Sequence, residues 1–259
     1  MKDVHVHFLH GNGGKYTTDF FEGFICAAQK AKIDEIYLLE HTFQFFEFDR
    51  IYEPIRQYND FQRDWLLKKM NGSIEGYLRF IDTVRNNEYP IKIKFGLEVC
   101  YIPEMAEELS DVLKKYSFDF LTGSVHWIDG WGFDHPKQKE IWQTVDIDQT
   151  YLRYYQIMCE LCKSGLFGGL AHPDSIKCFR YLPSIDLTDT YIELATLLNE
   201  HNMYAENSGG LRLNYSPDLE LGLNKTLLNI LKKYGVKILP ASDAHKQCDV
   251  GANIKELQI

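Results

Sequence analysis

The sequence predicts an α/β protein built on a parallel sheet, either open or closed into a barrel. Three observations lead there. Seven short runs rich in β-branched and aromatic residues alternate with helical stretches. No linker, repeat or low-complexity tract divides the 259 residues, so one domain over 1–259 is expected. Residues able to bind metal recur at the ends of the strand-like runs.

The first run, "DVHVHF", carries His5 and His7. Side chains i and i+2 of a strand share a face, so the two imidazoles point together, with Val4 and Val6 opposite. They are either a shared metal site or a surface pair near a frayed start. His10 follows, then the turn "GNGG". "TTDFFEGFICAAQKAK" reads as a helix with Thr and Asp at its cap, and "EIYLLEHT" as a second strand ending on Glu40 and His41.

Residues 43–72 break the rhythm. "FQFFEFDRIYEPIRQYNDFQRDWLLKKMNG" is long and aromatic, an insertion that either packs over the sheet or forms a lid on a pocket. Strand three, "IKIKFGLEVCYI", contains Glu98. The helix "PEMAEELSDVLKKY" begins with Pro and acids and ends in Lys, as the helix dipole favours. "FDFLTGSVHWI" then places His126 at the end of strand four, ahead of the Gly-punctuated loop "IDGWGFDHP".

"YLRYYQIMCELCKSG" is a helix whose Cys159 and Cys162 form C-x-x-C; with no second pair nearby, core packing is the expectation. "FGGLAHP" ends on His172, "MYAENSG" on Glu206 and Asn207, and "KILPASDAH" on Asp243 and His245. Two helices, "LTDTYIELATLLNEHN" and "NKTLLNILKKYG", separate these last strands.

Net charge is −9, which disfavours nucleic acid or an anionic membrane as a partner. No run reaches the roughly 20 apolar residues of a transmembrane helix, and the N-terminus lacks a signal-peptide pattern. A cytoplasmic protein with six free thiols is therefore expected.

Seven of the nine histidines sit at strand ends, which face one crevice in parallel β/α folds. With Glu98 and Asp243 they make nine N/O ligands, too many for one ion and suited to two or three divalent ions: Zn, Mn or Fe. Such ions acidify water and neutralise phosphoryl oxygens, so hydrolysis is the natural chemistry. No nucleotide-loop, nucleophile-elbow or dinucleotide motif competes with that reading.

H-x-H at the start, an acidic–His pair ending strand two, G-x-E in strand three, a His after "GS", then "AHPD" and "SDAH", resemble the PHP superfamily of metal-dependent phosphoesterases. "TGSVHWIDGWGFDHP" and "ENSGGLRL" are similar to its histidinol-phosphatase branch. The resemblance implies a distorted (β/α)7 barrel with the metal site at the strand C-terminal ends. It implies hydrolysis of L-histidinol phosphate to histidinol and phosphate, in histidine biosynthesis, through hydroxide attack on phosphorus.

It further implies one metal held by His5, His7, Glu98 and Asp243. Glu98 would bridge to a second, held by His126 and His172, and His10, His41 and His245 would hold the third. Glu98, Asp243 and His245 are the candidate catalytic residues. Arg212 is either a phosphate clamp or a surface Arg paired with an acid. Asp129 or Asp134 would pair with the substrate's cationic groups, and Trp127 or Trp131 would stack on its ring. His135 is expected to be a plain loop histidine. His10 follows His7 more closely than the family pattern has it, and Glu40 stands where Asp is frequent.

The partner is then a small phosphorylated substrate, with oligomeric state open. The alternatives are another small phosphate ester, an amidohydrolase-type metal hydrolase, a nuclease or polymerase-associated module, and an inactive metal-binding module.

Overall fold

The computed structural model describes residues 1–8 and 15–257. Its centre is a parallel sheet of seven strands in the order β1-β2-β3-β4-β7-β8-β9. These are β1 (Lys2–Val6), β2 (Glu35–His41), β3 (Lys92–Cys100), β4 (Phe120–Ser124), β7 (Gly169–Leu170), β8 (Tyr204–Ser208) and β9 (Ile238–Ala241). β5 (Trp127–Ile128) and β6 (Trp131–Gly132) form a separate antiparallel hairpin where the sequence reading had only a turn.

The sheet curls until its edges meet. The His7 amide donates to Ala244 O at 2.8 Å, and the Asp3 carboxylate accepts from the Ser242 amide at 2.9 Å and the Gly251 amide at 2.9 Å. The result is a nearly closed barrel of seven strands, as expected.

Helices α1 (Thr18–Ala31), α4 (Ile74–Arg85), α5 (Ala106–Leu113), α6 (Ile147–Lys163), α7 (Thr188–Glu200) and α9 (Lys225–Lys233) link the strands. Side-chain caps close several N-termini: Ser73 on α4, Asp146 on α6 and Asn224 on α9 each accept from a first-turn amide. Their apolar faces and the outward face of the strands form the main core; Phe95, Leu97 and Val99 of β3 belong to it. No helix among the described residues is long and apolar enough to cross a membrane.

Inside the barrel lies a smaller apolar layer of Val4, Tyr37, Leu39, Tyr204, Leu239 and Ala241, with Phe120 against it. Gly169 makes room for it, since a Cβ there would meet the Tyr204 ring at 2.1 Å. One expectation fails here. Val4 joins this inner layer while Val6 joins the outer core, so they do not share a face. A register shift between Asp3 and Val6 is the cause, because one irregular residue inverts the alternation.

Residues 43–72 fold as 3-10 turns followed by α2 (Glu53–Tyr58) and α3 (Asp60–Lys69). Phe45, Phe48, Tyr52, Ile55 and Leu66 are buried in the core, so the segment packs rather than hangs free. Gln62 fastens it to the hairpin: its side chain donates to Gly130 O at 2.7 Å and accepts from the Gly132 amide at 2.8 Å.

Candidate metal centre

The strands deliver their donors by alternation. On β2, residues 37 and 39 enter the inner layer, which brings His41 inward at the strand end. On β3, Glu98 lies inward while Leu97 and Val99 pack outside. His126, His172, Asp243 and His245 lie just past the ends of β4, β7 and β9, in loops free of the alternation. His172 and Asp243 take positive φ, 28° and 57°, conformations that side chains adopt only when their surroundings hold them.

Glu98 is the hub, fully buried among five imidazoles. Its Oε1 lies 2.8 Å from His126 Nε2 and 3.0 Å from His172 Nε2. Its Oε2 lies 3.2 Å from both His5 Nε2 and His7 Nε2 and 2.9 Å from His41 Nδ1. Asp243 Oδ1 approaches His7 Nε2 at 3.6 Å and His5 Nε2 at 3.7 Å. His245 stacks on His7, ring centres 4.5 Å apart.

Four triads converge, each with one donor atom per residue and all three atoms within 4.8 Å: His5–His7–Asp243, His5–Glu98–His172, His41–Glu98–His126 and His7–His41–His245. The structure therefore brings together eight of the nine expected ligands. His10 lies outside the described residues. The group with His41 and His245 also contains His7, which the sequence reading had placed only with His5, Glu98 and Asp243.

Charge in the cluster is tightly coupled. Burial alone would raise Glu98, but the charges of His41 and His5 and the hydrogen bonds from His126 and His172 hold it well below the usual carboxylate range. Burial pulls His7 down, yet its bonds to Asp243 and Glu98 outweigh that and push it up to about 9. His126 is likewise raised despite burial, chiefly by Asp134, whereas burial drives His41 well below its ordinary value.

These residues fit divalent ions on their own geometry. The Nε2 atoms of His5 and His7 face each other, and the Nδ1 atoms of His7 and His172 are buried with no hydrogen-bond partner among the described residues. Inward-facing lone pairs of imidazole and carboxylate are the donor set of Zn, Mn or Fe. Two of the donors are held from behind: Asp134 Oδ2 takes His126 Nδ1 at 2.6 Å, and Asn214 Nδ2 donates to Asp243 Oδ2 at 2.9 Å.

Above the cluster opens a cavity of about 200 Å³. Phe43, Phe61, Trp65 and Trp127 give it an aromatic wall, and Lys69 supplies an ammonium beside the Trp65 ring, 5.8 Å from its centre. Asp134 and His135 line it too. His135, a loop residue as expected, thus borders the cavity.

Two expected substrate contacts lie elsewhere. Asp129 is exposed and bound by Arg153 Nε at 2.8 Å; Trp131 is buried against Trp142, ring centres 5.0 Å apart. The tight hairpin turn sends Trp127 to the cavity and Trp131 away from it. Arg212, on the short helix α8 (Gly210–Asn214), donates through Nε to Leu219 O at 2.7 Å and is not among the cavity-lining residues.

Sequence reasoning assigned no role to Glu206, Lys69 and Gln62, which shape the site. Glu206 is fully buried and bonds His5. Glu40 supports the start of the loop after β1, accepting from the Phe8 amide at 2.8 Å. Lys69 and Gln62 come from the insertion. For Glu206 the signal was available: a carboxylate at a strand end, two residues from the inner Tyr204.

A model of the PHP domain matches residues 3–208. A Deinococcus radiodurans protein named "Probable histidinol-phosphatase" is 27% identical over 161 residues, 62% of this chain and 60% of that protein. The match thus spans less than two thirds of that relative's length. A Schizosaccharomyces pombe protein of the same name is 22% identical over 249 residues, covering 89% of this chain and 80% of that one. Among solved structures, histidinol phosphate phosphatase from Lactococcus lactis, complexed with zinc, L-histidinol and phosphate, shares the fold: TM-score 0.62, 19% identity, 98% of this chain and 92% of that chain. A Listeria monocytogenes crystal structure superposes at TM-score 0.75 with 15% identity, covering 99% of both chains. Family match, barrel and donor cluster agree, and the chain belongs to the PHP domain family.

Proposed function

We propose that this protein is a metal-dependent phosphomonoesterase that hydrolyses L-histidinol phosphate to histidinol and phosphate. The observation that carries the reading is Glu98, whose two oxygens each face a different group of histidines at the floor of an aromatic cavity. The names of the curated relatives support the choice of substrate.

His5, His7, His41, Glu98, His126, His172, Asp243 and His245 would hold two or three divalent ions, with His10 completing the set. Bound ions there supply charge neutralisation for a phosphate and a more acidic water. The chain does the rest. Asp134 keeps the His126 proton on Nδ1, so Nε2 faces Glu98; Asn214 fixes the Asp243 carboxylate. Phe43, Trp65 and Trp127 exclude water and offer ring faces to an imidazole. Glu98, Asp243 and His245 are the catalytic set of this reading.

The test is steady-state phosphate release from L-histidinol phosphate by metal-loaded protein, beside a panel of simple phosphomonoesters, with Asp243→Asn as control. A kcat/KM at least about a hundredfold above the panel, roughly 2.7 kcal/mol of discrimination, supports the named substrate. Equal activity across the panel refutes it.

One observation favours a second reading. Lys69 places a cation in the cavity, against the Trp65 ring where a cationic substrate tail would otherwise rest. A phosphate ester with a neutral or anionic tail suits that arrangement, and the same panel separates the two.

A further inference from the structure

Below the donor cluster, inside the barrel, sits Glu206. It lies on β8, on the same face as Tyr204, and no part of it reaches solvent. Both oxygens engage His5: Oε1 is 3.0 Å and Oε2 2.9 Å from its Nδ1. Oε2 also accepts from the His172 amide at 3.1 Å. One carboxylate therefore touches two of the candidate metal-holding residues, from two other strands, and touches neither at the nitrogen that faces Glu98.

We propose that Glu206 is a positioning residue that fixes the proton of His5 on Nδ1 and pins the His172 backbone, and so sets how firmly the centre retains its metal. The inference rests on the metal-centre reading above, not on the identity of the substrate.

Two physical arguments carry it. The first is tautomeric. A neutral imidazole has one N–H and one lone pair, and the partner of one nitrogen decides which nitrogen holds the proton. A carboxylate is an acceptor only, so at Nδ1 it demands the proton there. Nε2 is left with its lone pair aimed at Glu98, His7 and Asp243. The same carboxylate raises the electron density of the ring as a donor.

The second is conformational. His172 has φ of 28° and precedes Pro173, and a residue before proline is pushed toward extended backbone. Holding it elsewhere needs a compensating contact. Its amide has one in Glu206, and its carbonyl another in the Ser175 amide at 3.0 Å. The hold turns His172 Nε2 to Glu98 Oε1.

Glu206→Gln isolates the claim, because it changes neither length nor shape. The carboxamide has a single acceptor oxygen. Because both carboxylate oxygens lie within 3.0 Å of His5 Nδ1, the NH₂ faces that nitrogen in either orientation: it donates there, which forces the proton onto Nε2 and removes that donor, or it opposes the Nδ1 proton and loosens the hold.

The 259-residue chain is loaded with Zn²⁺ and transferred to excess chelator, with released zinc followed colorimetrically. Glu206→Gln is expected to lose at least one ion about tenfold or more faster than wild type, matching the effect of removing a partner of a metal-bound histidine. Raising free Zn²⁺ is expected to restore full occupancy. Release within twofold of wild type overturns the proposal.

A second measurement needs no variant. In histidine-¹⁵N-labelled, Zn²⁺-loaded wild type, long-range ¹H–¹⁵N correlations report each tautomer. His5 is expected protonated at Nδ1; a proton on its Nε2 overturns the proposal even if Glu206→Gln does not fold. Failure of wild type to bind Zn²⁺ overturns this inference together with the metal centre. Zinc binding without phosphatase activity overturns only the substrate.

Discussion

His5 and His7 turn their Nε2 atoms toward one another at a separation of 2.9 Å, with Glu98 Oε2 3.2 Å from each. At that distance two neutral lone pairs repel, so the pair holds either a proton or a cation. Protons and metal ions therefore compete for the same place.

That competition has a pH signature. His7 is raised from about 6.5 to about 9 in the metal-free fold, so its protonation contributes stability fully present below about 6.5 and lost as pH rises through 9. A chelator-treated sample is expected to melt at a lower temperature at pH 9 than at pH 6.5. Metal needs the deprotonated donor, so the gap between metal-loaded and metal-free melting temperatures should widen over that range. Calorimetry at both values, with and without chelator, is the check; a gap that narrows with pH contradicts the coupling.

Glu98→Gln keeps the size of the hub and removes its charge. The five histidines around it then lose their common anion. Loss of kcat/KM by about a hundred- to a thousandfold is expected, as for loss of one preorganised electrostatic group, together with fewer bound ions per chain by elemental analysis. Full metal content with unchanged turnover would show that Glu98 does not bridge.

Trp65 forms part of the cavity wall and packs on the Phe43 ring at 4.9 Å between centres. Trp65→Ala is expected to raise KM for L-histidinol phosphate about three- to tenfold, the worth of a ring-stacking contact, and to leave kinetics on a short alkyl phosphate nearly unchanged. Equal effects on both substrates would place the ring's role in folding instead.

Lys177 is buried and held by Asp174 at 2.6 Å, Glu220 at 2.7 Å and the Gly222 carbonyl at 2.9 Å. Removing one member of a buried ion pair strands the other. Lys177→Ala should cost about 3–5 kcal/mol, roughly 10 °C in melting temperature for a chain of this size. Replacing Lys177 and Asp174 together by apolar residues should cost less than the single change.

The donor set was legible in the sequence because its logic is local. Each of His41, Glu98, His126, His172, Asp243 and His245 ends a strand-like run or lies near its end, and parallel strands aim those ends at one place. What lay beyond reach depends on contacts between distant segments. Asp129 looks like a free loop acid until Arg153, on the neighbouring helix, claims it. Trp127 and Trp131 are equivalent in the sequence, and only the hairpin's turn decides which faces the cavity. Lys69 is one of several charges on the largely polar α3, which Gln62 docks against the hairpin. The parity of Val4 and Val6 was misjudged because an irregularity in a strand leaves no mark in residue type.

The closing seam of the barrel has a temporal meaning. Asp3 meets Ser242, and His7 meets Ala244, across nearly the whole length of the polypeptide. Contacts of such separation form late, since a long loop must be closed before they reward the chain. During synthesis His5 and His7 are made more than two hundred residues before the donors they meet across the seam. Asp243 and His245 arrive last. The cluster thus gathers its donors one strand at a time and is complete only when β9 locks in place.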